Sequence, residues 1–161
     1  MQARVNPAKL SPEPLKAMYA LEGYLRGSGL EHTLLELVKT RVSQINGCAF
    51  CLDMHTQDAR AAGETEQRLY ALSAWRETPF FSDRERAALA WAEAVTRLDG
   101  GVPDEAYQAA REHFSEKEVV DLTWAVVAIN GWNRLAISSR TVPGTYTPAM
   151  RAQIAAMTAT N

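Results

Sequence analysis

The sequence predicts a single all-α domain that spans residues 1–161. Apolar residues recur at spacings of three and four, the period of one helix face, and Leu35, Val38, Val42 and Ile45 are the clearest set. Helix start and stop signals divide the chain into segments of ordinary helix length. No convincing alternation of apolar and polar residues indicates a strand, so we expect helices throughout.

The first three helices are bounded by caps and glycines. Ser11 followed by Pro12 predicts a helix start, and this helix continues to about Arg26, before the breaker Gly27-Ser28-Gly29. The next helix ends at Asn46-Gly47, where glycine permits the left-handed stop. A third helix is expected from about Cys48 to Ala62, with Gly63 as its stop.

The second half of the chain contains two capping boxes, Ser82 with Glu85 and Ser115 with Glu118, each of which opens a helix. A short helix precedes the first box, and another follows Pro103 to about His113. Gly100-Gly101 is expected to be a turn between helices. The helix after the first box should bury Ala88, Trp91, Ala92, Val95 and Leu98.

The last long helix, expected from Glu116 to about Ser139, is apolar on several faces and so needs cover from more than one side. We expect part of that cover from another subunit, and we interpret Trp124 as packing. Asn130 to Arg134 places polar residues around Trp132. We interpret this stretch as a helix end that emerges into solvent, in preference to a subunit interface or the mouth of a pocket. The tail after Pro143 is a short helix or an arm.

Composition excludes several classes of protein. The net charge is −2, with 47% hydrophobic and 22% charged residues, so nothing indicates nucleic-acid or membrane binding. The N-terminus lacks the apolar core of a signal peptide, and no run is long enough to cross a bilayer. We therefore expect a cytoplasmic protein, in which a structural disulfide would be unusual.

The two cysteines, Cys48 and Cys51, are three positions apart, and His55 follows four residues later. On one helix these side chains share a face. Amides at a helix start stabilise a thiolate, the form of cysteine that reacts. His55 could accept the thiol proton, and Glu36 on the preceding helix could orient the imidazole if the Asn46-Gly47 turn folds that helix back.

Two alternatives give these residues other roles. Buried cysteines are often inert small hydrophobes. Cys48, Cys51, His55 and Glu36 are also zinc-compatible ligands, although a second distant ligand pair is missing. We favour a redox pair over both, and expect no cofactor. His32 and His113 are interpreted as surface or capping residues.

The spacing Glu-x11-Cys-x2-Cys-x3-His, formed by Glu36, Cys48, Cys51 and His55, resembles the AhpD-like alkylhydroperoxidase group of the carboxymuconolactone decarboxylase family. The similarity continues through Arg68 to Thr96, so that the motif core covers about residues 36–96. The resemblance implies an all-helical fold that assembles into homo-oligomers, commonly trimers or hexamers.

The resemblance also implies a role for each motif residue. Cys51 would attack the hydroperoxide and become the sulfenic acid, and Cys48 would donate a proton and then resolve that acid into a disulfide. Glu36 and His55 would form the proton relay. An external dithiol, on a lipoyl-bearing or thioredoxin-like protein, would restore the reduced pair.

One position departs from the best-known alkylhydroperoxidases, which carry a second histidine directly before the second cysteine. Here that residue is Phe50. A thiol–disulfide redox protein or sensor with little peroxidase turnover is therefore the first alternative to a peroxidase acting on hydrogen peroxide or organic hydroperoxides. A lactone decarboxylase with incidental cysteines is the second.

Overall fold

Helices account for all the regular secondary structure in residues 2–158, the part of the chain that this computed structural model describes. Their bounds are α1 Pro7–Leu10, α2 Pro12–Arg26, α3 His32–Asn46, α4 Ala49–Ala61, α5 Glu66–Ala71, a 3-10 helix Leu72–Glu77, α6 Asp83–Arg97, α7 Asp104–Arg111, α8 Glu116–Ser139 and α9 Pro148–Thr158. The all-α prediction is confirmed.

Local signals predicted most helix boundaries. Both capping boxes form, with the Ser82 and Ser115 side chains each bonded to a backbone amide three residues on. Gly47 ends α3 at φ 69°, a left-handed conformation that costs glycine little. The helix α1 was not predicted, and the tail after Pro143 is the helix α9 rather than an arm.

The helix α3 lies at the centre of the fold and packs against α4, α6 and α8. Every residue from Leu34 to Ser43 is buried, because neighbours cover the helix on several sides. A buried ion pair, Arg41 Nε to Glu93 Oε1 at 2.7 Å, joins α3 to α6. Burial raises the pKa of Glu93, but hydrogen bonds from Trp75, Arg76 and Arg41 outweigh this and lower it. This arrangement fixes the helix that carries Glu36.

Two predicted core residues are on the surface. Trp124 is 48% exposed, and with Val120 and Val127 it forms an uncovered apolar stripe on α8. Leu98 is also exposed, because it is the left-handed C-cap of α6 at φ 52° and lies beyond the buried face. Trp91 is buried as predicted, and its indole N–H donates to Thr123.

None of the helices in residues 2–158 combines the length and the apolar character that a membrane crossing requires. The long helix α8, apolar on several sides, is buried along much of its length by α2, α3, α4 and α6 instead.

Candidate active site

The two cysteines lie at the start of α4, directly after the turn that ends α3. The backbone N–H of Cys48 donates to the carbonyl of Ser43 at 3.0 Å, which holds the turn against the end of α3. Cys48 is the N-cap of α4, and its sulfur accepts from the backbone N–H of Cys51 at 3.3 Å. The two residues are disulfide-bonded, with Cα atoms 5.3 Å apart. The sequence therefore places both sulfurs at a helix N-terminus.

The two sulfurs differ in their access to solvent-filled space. Both residues are almost fully buried, with 1% exposure for Cys48 and 2% for Cys51. Cys51, however, lines a large cleft together with His55 and Glu36, whereas Cys48 is absent from the lining of that cleft. A small molecule in the cleft would therefore meet Cys51.

Glu36 and His55 form the hydrogen bond that the sequence left open. The α3–α4 turn brings Nδ1 of His55 within 2.8 Å of Oε2 of Glu36, and both side chains are buried. Burial raises the pKa of the Glu36 carboxyl, but the charge and hydrogen bond of His55 outweigh burial and hold the pKa at about 2. The carboxylate therefore orients the imidazole through Nδ1.

A second buried ion pair lies beside the first. Lys39 Nζ is 2.6 Å from Glu22 Oε2, and the other Glu22 oxygen accepts from the indole N–H of Trp132 at 3.1 Å. Burial lowers the pKa of Lys39, but the Glu22 and Glu36 carboxylates more than compensate, so the pKa is raised. Lys39 therefore stays charged near Glu36. Sequence reasoning missed this pair, because nothing local links α2 to α3.

The cleft has a volume of about 430 Å³ and a largely apolar wall. The N-terminal segment, α2, α4, the end of α8 and α9 all contribute to it. Its apolar lining residues include Val5, Leu15, Tyr19, Phe50, Met54, Trp132, Leu135, Val142, Met150 and Ile154. Volumes of about 300–1,000 Å³ are usual for small-molecule sites, so the cleft can hold an organic molecule beside Cys51.

The polar stretch around Trp132 is not a helix end in solvent, so that interpretation was wrong. The helix α8 continues to Ser139, and Asn133 is fully buried. Asn46 Nδ2 donates to Asn133 Oδ1 at 2.8 Å, and Asn133 Nδ2 donates to Ser43 Oγ at 3.0 Å. This network fixes the last turn of α3, just before Cys48, while Trp132 lines the cleft.

Within residues 2–158, Glu36, His55 and Asp58 form a group that could hold a metal ion, since one ligand atom of each lies within 4.8 Å of the others. This set differs from the zinc-compatible set that the sequence analysis weighed and did not favour: Asp58 stands in it in place of the two sulfurs, which are disulfide-bonded. The Asp58 carboxylate already accepts from the Tyr146 hydroxyl at 2.9 Å and from Arg151 Nε at 2.5 Å. Its contacts therefore tie α4 to the segment around α9.

The remaining histidines lie in different surroundings. His32 is the first residue of α3, and its Nε2 is 3.9 Å from Oε1 of Glu36, so it approaches the site more closely than a surface role requires. His113 follows α7, where its backbone carbonyl accepts from Arg84.

Comparison with known proteins identifies the family of this chain. The model of the carboxymuconolactone decarboxylase family matches residues 12–94, a segment that includes both cysteines, Glu36 and His55. The chain belongs to this family. A relative in the same size class is the uncharacterized protein YdfG of Bacillus subtilis (strain 168), which is 49% identical over 139 residues, 86% of this chain and 95% of YdfG.

Solved structures place this family member in the AhpD-like group. A protein from Agrobacterium tumefaciens, ATU0492, described as of unknown function and as an AhpD candidate in antioxidant defence, is 47% identical with a TM-score of 0.86, over 90% of this chain and 100% of that one. The AhpD core of a peroxidase-related protein from Ralstonia eutropha JMP134 shares the fold at 21% identity, with a TM-score of 0.76 over 86% and 74% of the two chains.

Proposed function

We propose that the chain is a dithiol peroxidase in which Cys51 attacks a hydroperoxide. One observation carries the proposal: Cys51 lines the cleft with His55 and Glu36, whereas Cys48 does not line it. Substrate, nucleophile and proton acceptor would then meet in one place, which is the geometry that nucleophilic catalysis needs.

The first step oxidises Cys51. Its thiolate attacks the nearer oxygen of the O–O bond, so that Cys51 becomes a sulfenic acid and the other oxygen leaves as an alkoxide. His55, one turn further along α4, is the base that removes the thiol proton and returns it to the alkoxide as the alcohol forms. Glu36 stabilises the imidazolium through the 2.8 Å bond to Nδ1.

The second step closes the disulfide. Cys48 attacks the Cys51 sulfenic acid, the S–O bond breaks, and water leaves with the proton of the Cys48 thiol. The backbone N–H of Cys51 points at the Cys48 sulfur at 3.3 Å, so it would stabilise the negative charge that develops on this sulfur as its proton leaves. The disulfide arrangement of the structure corresponds to the product of this step.

An external dithiol completes the cycle by supplying two electrons and two protons to the disulfide. A lipoyl-bearing or thioredoxin-like protein would carry that dithiol. Compartments that keep thiols reduced contain such donors, and we infer a cytoplasmic location on this ground.

The cleft favours organic hydroperoxides over hydrogen peroxide as substrates. Its volume of about 430 Å³ far exceeds what hydrogen peroxide requires, and Phe50, Met54 and Trp132 offer apolar contact beside the reactive sulfur. Burial of an apolar substituent contributes about 25 cal/mol per Å² of area removed from water. An organic substrate would therefore gain binding energy that hydrogen peroxide cannot.

The active molecule is inferred to be a homo-oligomer. Val120, Trp124 and Val127 recur at helical spacing on one exposed face of α8. Contiguous apolar patches on soluble proteins commonly mark interfaces, and a second copy of the chain would cover this one. A trimer or hexamer is the expected assembly.

A thiol–disulfide redox protein is the second candidate. Phe50 lines the cleft where a further proton-relay histidine would stand in an efficient peroxidase. With that position apolar, the Cys48–Cys51 pair could exchange electrons with other dithiols while reducing hydroperoxides slowly.

Steady-state consumption of cumene hydroperoxide, with a dithiol reductant in excess, tests the proposal. The wild-type chain should turn over repeatedly, and Cys51→Ser should not consume the hydroperoxide above the uncatalysed rate. Cys48→Ser should consume it more slowly than the wild type, because the external dithiol must then reduce the Cys51 sulfenic acid directly. Undiminished consumption by Cys51→Ser would contradict the proposal. Rapid thiol–disulfide exchange without consumption would support the second candidate.

A further inference from the structure

Two methionines are among the residues that line the cleft beside Cys51. Met54 follows Cys51 by three positions on α4, so the two side chains share one face of the helix, and Met150 is contributed by α9. Met54 is half-buried. A molecule that occupies the cleft close to the Cys51 sulfur would therefore also lie close to the Met54 thioether.

The disulfide changes which group in the cleft can be oxidised. Thiols and thioethers are the side chains that accept an oxygen atom from a hydroperoxide. In the disulfide state Cys51 has no thiol, because its sulfur is bonded to Cys48. The thioethers of Met54 and Met150 are then the remaining groups of this kind among those of residues 2–158 that line the cleft.

We propose that Met54 is a modification site: once the Cys48–Cys51 disulfide has formed, an organic hydroperoxide bound in the cleft oxidises the Met54 thioether to the sulfoxide. The proposal rests on the proposed function for the class of molecule that enters the cleft. Met54 is favoured over Met150 because it lies one turn from Cys51 on the same helix, whereas Met150 is 36% exposed on α9.

The oxidation is balanced without any further reactant. A lone pair of the Met54 sulfur attacks the terminal oxygen of the hydroperoxide, so that an S–O bond forms as the O–O bond breaks. The proton of that oxygen passes to the leaving alkoxide, which departs as the alcohol. The sulfur loses two electrons and the hydroperoxide gains them, so the product is methionine sulfoxide.

The sulfoxide would weaken the binding of apolar molecules in the cleft. Met54 belongs to the apolar wall together with Phe50 and Trp132. Oxidation converts a flexible apolar side chain into a polar one. A loss of contact equivalent to one buried methylene lowers affinity by about fourfold. Modified protein would therefore bind less organic hydroperoxide when the external dithiol is scarce and the disulfide accumulates.

Oxidation of the disulfide form by cumene hydroperoxide tests the proposal without any turnover. A chelator suppresses metal-catalysed oxidation, and mass spectrometry of peptides locates the sulfoxide. Met54 should be oxidised about tenfold or more faster than Met18, because a bound hydroperoxide is held beside its sulfur. Met18 is the matched internal control, since it is also half-buried but lies against Gly131 and does not line the cleft.

Cumyl alcohol, which fills the same space as cumene hydroperoxide but has no O–O bond, provides a second measurement. It should slow the oxidation of Met54 and leave that of Met18 unchanged. After peroxide treatment its own affinity for the wild-type chain should fall by about fourfold. The same treatment should not change its affinity for Met54→Leu, because leucine is apolar and has no sulfur to oxidise.

Oxidation of Met54 at the rate of Met18, or without protection by cumyl alcohol, would overturn the proposal. An unchanged affinity for cumyl alcohol in protein that carries the Met54 sulfoxide would overturn its proposed effect on binding. Failure of the reduced wild-type chain to turn over hydroperoxide would instead refute the proposed function, since the disulfide form used here has no thiol for that reaction.

Discussion

Nδ1 of His55 lies 2.8 Å from Oε2 of Glu36, and the two residues are brought together by the turn between α3 and α4. Both side chains are largely buried, so salt screens their interaction less than it would screen an exposed pair. Orientation of an imidazole by a carboxylate through Nδ1 leaves Nε2 for chemistry on the cleft side. The pair therefore links α3 to α4, and in the proposed reaction it orients the imidazole that acts as the base.

Glu36→Gln should destabilise the protein in a pH-dependent way. The folded pKa, about 2, is below the unfolded value of 4.5, so the contribution is fully present above pH 4.5 and is lost as pH falls through about 2. We expect a loss of about 3 kcal/mol in the free energy of unfolding at pH 7 and a smaller loss at pH 3.

Urea unfolding of the Glu36→Gln variant at both pH values measures this difference. Glu13→Gln is the matched control, because Glu13 is an exposed carboxylate on α2. An equal loss of stability at pH 7 and pH 3 would show that the charge of Glu36 contributes nothing.

Asn133→Leu should destabilise the end of α3. The change leaves Ser43 Oγ without its donor and removes one acceptor from Asn46, within a buried network. An unsatisfied buried polar group costs about 1–3 kcal/mol, and the disulfide should also form more slowly, because the turn before Cys48 loses its support. Ser138→Ala, an exposed position on the same helix, should change stability by less than about 0.5 kcal/mol.

Chemical denaturation and the rate of thiol loss under mild oxidation measure these two effects. If Asn133→Leu lowered stability but left the rate of disulfide formation unchanged, the network would hold α8 against α3 without positioning Cys48.

The sequence predicted the helices and the motif well because both depend on local signals. Caps such as Ser82 with Glu85, and the glycine at position 47, act within a few residues. The contact between Glu36 and His55 could be anticipated for the same reason, since a single turn joins the two helices that carry them.

Contacts between segments that are distant in the chain were not predicted from the sequence. The Glu22–Lys39 pair and the bonds of Asn133 join helices far apart in the chain, and their residues resemble ordinary polar surface positions. Trp124 was misplaced because an apolar residue at helical spacing does not reveal which face of α8 lies against the core.

Phe50→His should raise turnover with hydrogen peroxide. Phe50 lines the cleft beside Cys51, and a histidine there would add a proton donor for the leaving oxygen. We expect an increase of about tenfold or more in kcat/KM, measured by peroxide consumption. Phe50→Leu keeps the position apolar and should show no gain. Equal rates for the two variants would mean that proton transfer at this position does not limit turnover.

Trp124→Lys should weaken self-association. Trp124 is the largest residue of the exposed stripe on α8, and a lysine would bring a charge into the proposed interface. Loss of a central aromatic anchor costs about 2 kcal/mol or more in such interfaces. Sedimentation should show an oligomer for the wild type and smaller species for the variant. Tyr70→Lys, at an exposed position on α5, is the control, and a monomeric wild type would refute the assembly.

Location of the sulfenic acid after one equivalent of cumene hydroperoxide tests the central claim most directly. Reduced Cys48→Ser and Cys51→Ser proteins, treated in the presence of dimedone and digested, would be compared by mass spectrometry. We predict the dimedone adduct on Cys51 in the first variant and no adduct on Cys48 in the second. An adduct on Cys48 in the second variant, with Cys51 unmodified in the first, would contradict the account.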